Sequence, residues 1–228
     1  KLERLKKEYS DDSDDTVHQL AIVPKEVQLP LWHEDARAQA NSLIRSALFT
    51  ATNPNAKRDH YEKIKIASVE GIEILYTGTQ LNQSDADVID TVLHICRRTT
   101  LGLECRVTGY RLLKLLNKKD SKQNYVILDK QLTRMVATAI RIRVDKRWSY
   151  EGSLIQNIRR DEVNSDYLIS LNPTITQLFQ EDQYTLINHR LLMALQRNPL
   201  AQWAVRYFSS HAEPYPMKFI TIRDLSGS

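Results

Sequence analysis

Cysteine and glycine are both scarce in this chain, with two of the first and six of the second among 228 residues. Two thiols, Cys96 and Cys105, cannot build a disulfide framework and fit a reducing compartment. Each sits in an apolar stretch, so buried thiols are expected rather than a disulfide or a metal site. The few glycines assemble no phosphate-binding loop: neither G-x-x-x-x-G-K-[ST] nor G-x-G-x-x-G occurs, which argues against a nucleotide hydrolase of the common kind. The histidines lack ligand spacing, with no H-x-H, H-E-x-x-H or C-x-x-C, and no metal or cofactor is expected. Long apolar runs are missing too. Nothing approaches the roughly 20 apolar residues of a membrane span, and Lys1 to Ser10 is too charged for the apolar part of a signal peptide. Together with the thiols this places the protein in the cytoplasm. The first residue is not Met, so upstream residues are expected to be missing. An enzymatic reading has little to stand on. Tyrosine nucleophiles abound, but a nicking enzyme of the rolling-circle kind needs a metal-binding His pair, and the acids Glu70, Glu73 and Asp85 near a hairpin read as solvated.

What the chain has is positive charge gathered in one place. Between Arg97 and Arg160 lie sixteen Lys or Arg against five acids, a net +11 in a chain whose total is only +4. Such concentration is built to meet a polyanion. The N-terminal stretch is its opposite: Asp11-Asp12-Ser13-Asp14-Asp15 is an acidic run, and Pro24 and Pro30 favour an extended arm over residues 1–35.

Ala38, Leu43, Ile44, Ala47 and Leu48 recur at helical spacing and predict a helix from about Ala36. Lys63 to Val69 and Ile72 to Tyr76 read as a hairpin turning at Glu70-Gly71. Ser84 with Asp87 three residues on marks the start of a helix running to about Arg97. A short strand, Glu104 to Val107, leads into a helix capped by Thr108 with Leu112, Leu113, Leu115 and Leu116 inward. After the polar turn Asn117 to Ser121 comes a second helix, about Gln123 to Thr138. Its apolar face is Tyr125, Leu128, Leu132, Met135, Val136 and Ala139, which fits a period of about 3.6. Lys122, Gln123, Asn124, Lys130, Gln131 and Arg134 are left on the polar side, where Arg and Gln suit guanine and adenine in the major groove. The alternating strand Ile140 to Val144 and its return, Trp148 to Arg160, form a basic hairpin in which Arg141, Arg143, Lys146 and Arg147 would meet phosphates. Helix, turn, helix and basic hairpin is the winged-helix order. A weaker second copy is expected 113 residues on, where the helix Leu200 to Ser210 precedes Phe219-Ile220-Thr221 as a strand.

Several longer stretches resemble the TrfA family of plasmid replication initiators. They are Gln28 to Trp32, Ile66 to Ile74, Gln80 to Asp85, Tyr110 to Leu116, Ser149 to Ile155, Pro199 to Trp203 and Ser210 to Pro216. The resemblance implies an α+β fold of tandem winged-helix domains, here 36–171 and an incomplete 172–228, the basic helix that ends the second domain falling past Ser228. It implies a non-enzymatic initiator that acts on plasmid DNA in bacteria. Its ligands would be duplex origin repeats called iterons and single-stranded A·T-rich origin DNA. Host DnaA, the replicative helicase and the sliding clamp would be its partners, with dimers as the inactive form. The clamp motif implied is Gln28, Leu29, Leu31 and Trp32, expected outside the folded core; on the residues alone, Leu31 and Trp32 could equally staple the arm onto the protein's own first helix. The alternative, a winged-helix transcriptional repressor, would share the basic helix but need no clamp motif.

Overall fold

The computed structural model describes residues 27–145, 148–161, 163–164, 166–180 and 183–228, with Trp148 described by its backbone alone. In chain order the elements are β1 (Ala36–Ala40), α1 (Asn41–Ile44), β2 (Phe49–Thr50), β3 (His60–Ile66), β4 (Ile72–Thr79), β5 (Leu81–Asn82) and α2 (Gln83–Cys96). Then come β6 (Glu104–Thr108), α3 (Gly109–Leu115), α4 (Lys122–Val136), β7 (Ala139–Val144), β8 (Trp148–Gly152), β9 (Asn157–Asp161) and β10 (Asp166–Ser170). A 3-10 turn (Pro173–Phe179), β11 (Tyr184–Asn188), α5 (His189–Ala194), α6 (Pro199–Ser209) and α7 (Phe219–Ser226) complete them.

The molecule is organised around α2. Twelve of its fourteen residues are buried, so it is enclosed on its polar side as well as its apolar one. Val88, Ile89, Val92 and Leu93 fill the main core. Buried polar groups cost free energy unless bonded, and the acids and the imidazole on α2 draw in several other elements. Asp85 takes Arg58 Nη1 at 2.5 Å and Arg134 Nη2 of α4 at 3.1 Å. Asp87 and Asp90 take Arg206 Nη2 of α6 at 2.7 and 3.0 Å. His94 takes Trp32 Nε1 at 3.0 Å. The cap lies two residues earlier than Ser84: Asn82 caps the helix, with Asp85 completing the reciprocal box. Asp85, expected in solvent, is fully buried.

Beside α2 stands a three-stranded antiparallel sheet in the order β6-β10-β9. Helix α2, strand β6, helices α3 and α4, then strands β9 and β10 follow the winged-helix order, with the wing at the β9–β10 turn. The expected wing lies elsewhere. β7 and β8 belong to a separate four-stranded sheet, β3-β4-β7-β8, where they extend the predicted hairpin of β3 and β4. Ile66, Ile74, Ile142 and Tyr150 form one buried row across that sheet. Thus the single return strand predicted from Trp148 to Arg160 is two strands in two sheets.

Two further expectations are corrected. Ala36–Ala40 is a strand, not the start of a helix, because it pairs antiparallel with β11. Both of its faces are covered, Ala38 and Ala40 on one side and Arg37 and Gln39 on the other, and tertiary pairing outweighs alanine's helical preference. This pairing also joins strands from either side of the expected boundary at 171/172. Phe219-Ile220-Thr221 is the first turn of α7 rather than a strand, because Ile222 and Leu225 pack helically on Trp203 and Tyr207. The unit that does recur is strand, capped helix, turn, helix. Thr108 Oγ1 accepts from Arg111 N at 3.0 Å at the start of α3, and Asn188 Oδ1 accepts from Leu191 N at 3.1 Å at the start of α5.

Candidate nucleic-acid interface

Ser121 caps α4, and Leu128, Leu132 and Met135 are buried as the sequence period requires. The opposite stripe is exposed: Gln123, Val126, Ile127, Lys130 and Thr133. Lys122, Gln123 and Lys130 therefore stand where a polyanion could reach them. Asn124 is half-buried and donates its side-chain amide to Lys119 O at 2.7 Å, closing the turn before the helix.

Gln131 and Arg134 do not share that stripe. Gln131 is buried and donates to Ser84 O and Oγ, both at 3.1 Å. Arg134 is turned toward Asp85, with its side chain 17% exposed. Both side chains bolt α4 to the first turn of α2, so neither is presented for base reading.

Arg141 and Arg143 share a face of β7, as strand alternation dictates, but both are paired. Arg141 makes a two-pronged contact with Glu151 at 2.8 and 2.9 Å, and Arg143 lies 3.5 Å from Glu73. They form cross-strand ion pairs on the solvent side of the four-stranded sheet rather than a phosphate grip on a wing. Lys146 and Arg147 lie outside the described residues. The strands β6, β9 and β10 are neutralised likewise. Arg159 meets Glu104 at 2.8 Å and Arg106 meets Asp166 at 2.6 Å. Arg160 reaches Asp129 at 2.6 Å and Thr133 Oγ1 at 2.8 Å, tying the wing strand β9 to α4.

What remains is a cluster of which the sequence reading singled out only Lys122 and Lys130. Arg111, Lys114, Lys118, Lys119, Lys122 and Lys130 are exposed. None forms an ion pair with a carboxylate among the described residues. They run along the outer side of α3, round the turn and onto α4. The signal was present: Arg111, Lys114 and Lys118 alternate with the inward leucines at helical spacing. Lys118 also reaches Gln196 Oε1 at 3.5 Å, beside a cleft of about 300 Å³ walled by Leu113, Ile127, Lys130 and Pro199.

The expected clamp segment is placed differently from the reading that left it outside the core. Leu29 and Trp32 are buried in the main core, while Leu31 is 70% exposed. Gln28, beside them, is exposed. Leu101 N donates to Val27 O at 2.8 Å, and Arg97 Nε donates to Trp32 O at 3.3 Å. Trp32 Nε1 and Arg37 Nη1 both point at His94 Nδ1, at 3.0 and 3.1 Å. Two donors at Nδ1 leave the ring proton on Nε2, which donates to Glu34 Oε2 at 3.0 Å. Burial, then the neighbouring Arg37 charge, pushes His94 down to about 4. The His94 hydrogen bond, reinforced by Arg97, pulls Glu34 down to about 2. Of the expected arm, residues 1–26 lie outside the described residues; the stretch from Val27 to Glu34 is stapled to α2 because α2 has a buried imidazole to satisfy and Trp32 supplies both a donor and an apolar body.

Cys96 and Cys105 are free and buried. Among the described residues, no group of three or more His, Cys, Asp or Glu could hold a metal ion, and no helix is long and apolar enough to cross a membrane.

Residues 15–228 match the family model described as TrfA protein. A plasmid replication initiator protein TrfA from Escherichia coli is 33% identical over 215 residues, covering 90% of this chain and 56% of the relative. The chain thus spans little more than half the length of that relative. Among solved structures, domains 2 and 3 of RctB, crystallised as selenomethionine derivatives, superpose with a TM-score of 0.54 at 13% identity, covering 76% of this chain and 71% of that one. At that identity the likeness is one of fold.

Proposed function

The chain belongs to the TrfA family, and from that premise we propose that it is a DNA-binding portion of a plasmid replication initiator. It grips duplex origin DNA through the α3–turn–α4 unit. The observation that carries this reading is the run of exposed cations from Arg111 to Lys130, which lack carboxylate partners among the described residues, while the other described arginines of the basic segment stand in ion pairs. A helix of fifteen residues whose exposed stripe is flanked by Lys122 and Lys130 has the dimensions of a major-groove reader. The repeated strand–helix–turn–helix unit supports tandem winged-helix domains. The protein works by binding alone, with no catalytic step of its own.

The finer roles follow from the family: recognition of iterons, opening of an A·T-rich region, and recruitment of DnaA, helicase and sliding clamp. Clamp binding through Gln28 to Trp32 requires the segment to leave its dock on α2, because Leu29 and Trp32 cannot fill a partner's pocket and the protein's own core together. Footprinting on a cognate plasmid origin tests the central role. Protection of repeated sites that fades steeply with salt is expected. An unprotected origin at low salt would refute it.

A further inference from the structure

The exposed stripe of α4 holds two side chains that phosphate binding does not explain. Val126 and Ile127 are 42% and 43% exposed, on a helix whose inward positions are filled by Leu128, Leu132 and Met135. They lie three and four residues after Gln123 and four and three before Lys130, so all four share one face. From Gln123 to Lys130 the helix rises roughly 10 Å, about three base pairs of duplex. Lys122, four residues before Val126, and Lys130, four after it, bracket the pair with exposed positive charge, and Lys118 lines the same cleft as Ile127 and Lys130.

We propose that Val126 and Ile127 read thymine, by packing their branched side chains against the C5-methyl groups in the major groove. This rests on the DNA-binding reading above and deepens it. An apolar patch ringed by cations fits a surface that is anionic at its edges and apolar at its centre. The major groove has that character wherever thymine methyls line its floor between two phosphate backbones. A neutral protein surface would leave the surrounding lysines without a counter-charge. Val and Ile have no hydrogen-bonding groups, and of the four bases only thymine offers a methyl group there, so the pair discriminates by apolar contact alone. Of the polar face expected to meet bases, Gln131 and Arg134 accordingly drop out, Gln123 and Lys130 stay, and Val126 and Ile127 join them.

Uracil supplies a test that leaves the protein untouched. A random duplex library is selected with the full chain, and the enriched site is resynthesised with single thymine-to-uracil replacements. At one or two positions, loss of the methyl should weaken binding about three- to fivefold each. Val126→Ala and Ile127→Ala should bind the thymine and uracil forms of those positions alike. Equal affinity of the wild-type chain for both forms at every position would overturn the proposal while the DNA-binding reading stood. A uracil penalty that persists unchanged in both variants would overturn it too, since the methyl would then be read by something else. Failure to enrich any sequence would remove both readings together.

Discussion

Arg134 shows how a side chain can be typed correctly and placed wrongly. Its carboxylate partner, Asp85, lies 49 residues earlier in the chain, and a helical period reports only which side faces the helix's own core. Arg134→Ala leaves buried Asp85 with Arg58 as its one guanidinium partner among the described residues, and should cost about 1–3 kcal/mol of stability, read as a lower urea midpoint. Loss of DNA affinity with an unchanged midpoint would restore it as a base reader. His94 supports a prediction with a definite sign. Its folded value, about 4, is below the ordinary histidine value, so between about pH 4 and 6.5 the unfolded chain binds more protons. Stability from this group is therefore complete above that window and is lost as pH falls through it. Buried Asp90, raised to about 6, works the other way over much of the same range, so the comparison must be with His94→Gln. The melting-temperature difference between wild type and variant should shrink on acidification from pH 7 to 4.5. A difference that stays constant would count against the staple as described.

At the scale of elements, legibility followed how local the decisive contacts are. The approximate length and apolar phase of α4 depend on neighbours within a few turns, and were readable. So were the β3–β4 hairpin, with Gly71 at a φ of +84° in its turn, and the two buried thiols. The wing was not. β7–β8 and β9–β10 both alternate and both carry arginine, and only long-range pairing, β10 with β6 across some 60 residues, distinguishes them. β1 carries Arg37 and Gln39 on a face that α2 buries, so no hydrophobic alternation announced a strand. The arm divides by residue rather than by segment. Trp32→Ala should remove about 3–5 kcal/mol and lower the melting temperature by several degrees, whereas Leu31→Ala, at an exposed position, should change it little. Equal, small effects from both would mean that the arm is not part of the folded core.

Across the whole molecule, one enclosed helix dictates the assembly. α2 gathers residues 27–37 through His94, α4 through Asp85 and α6 through Asp87 and Asp90, and leaves a run of positive charge without carboxylate partners, among the described residues, on the outer side of α3 and α4. The central claim is that this face, rather than the β7–β8 hairpin, meets the polyanion, and the salt dependence of DNA binding tests it most directly. Replacing Lys118, Lys119 and Lys122 together by Ala should reduce the slope of log affinity against log salt by about 2–3, at roughly 0.9 per phosphate contact. Replacing Arg141 and Arg143 by Ala should leave that slope within experimental error. The opposite pattern, an intact slope in the lysine variant and a reduced one in the arginine variant, would contradict the account.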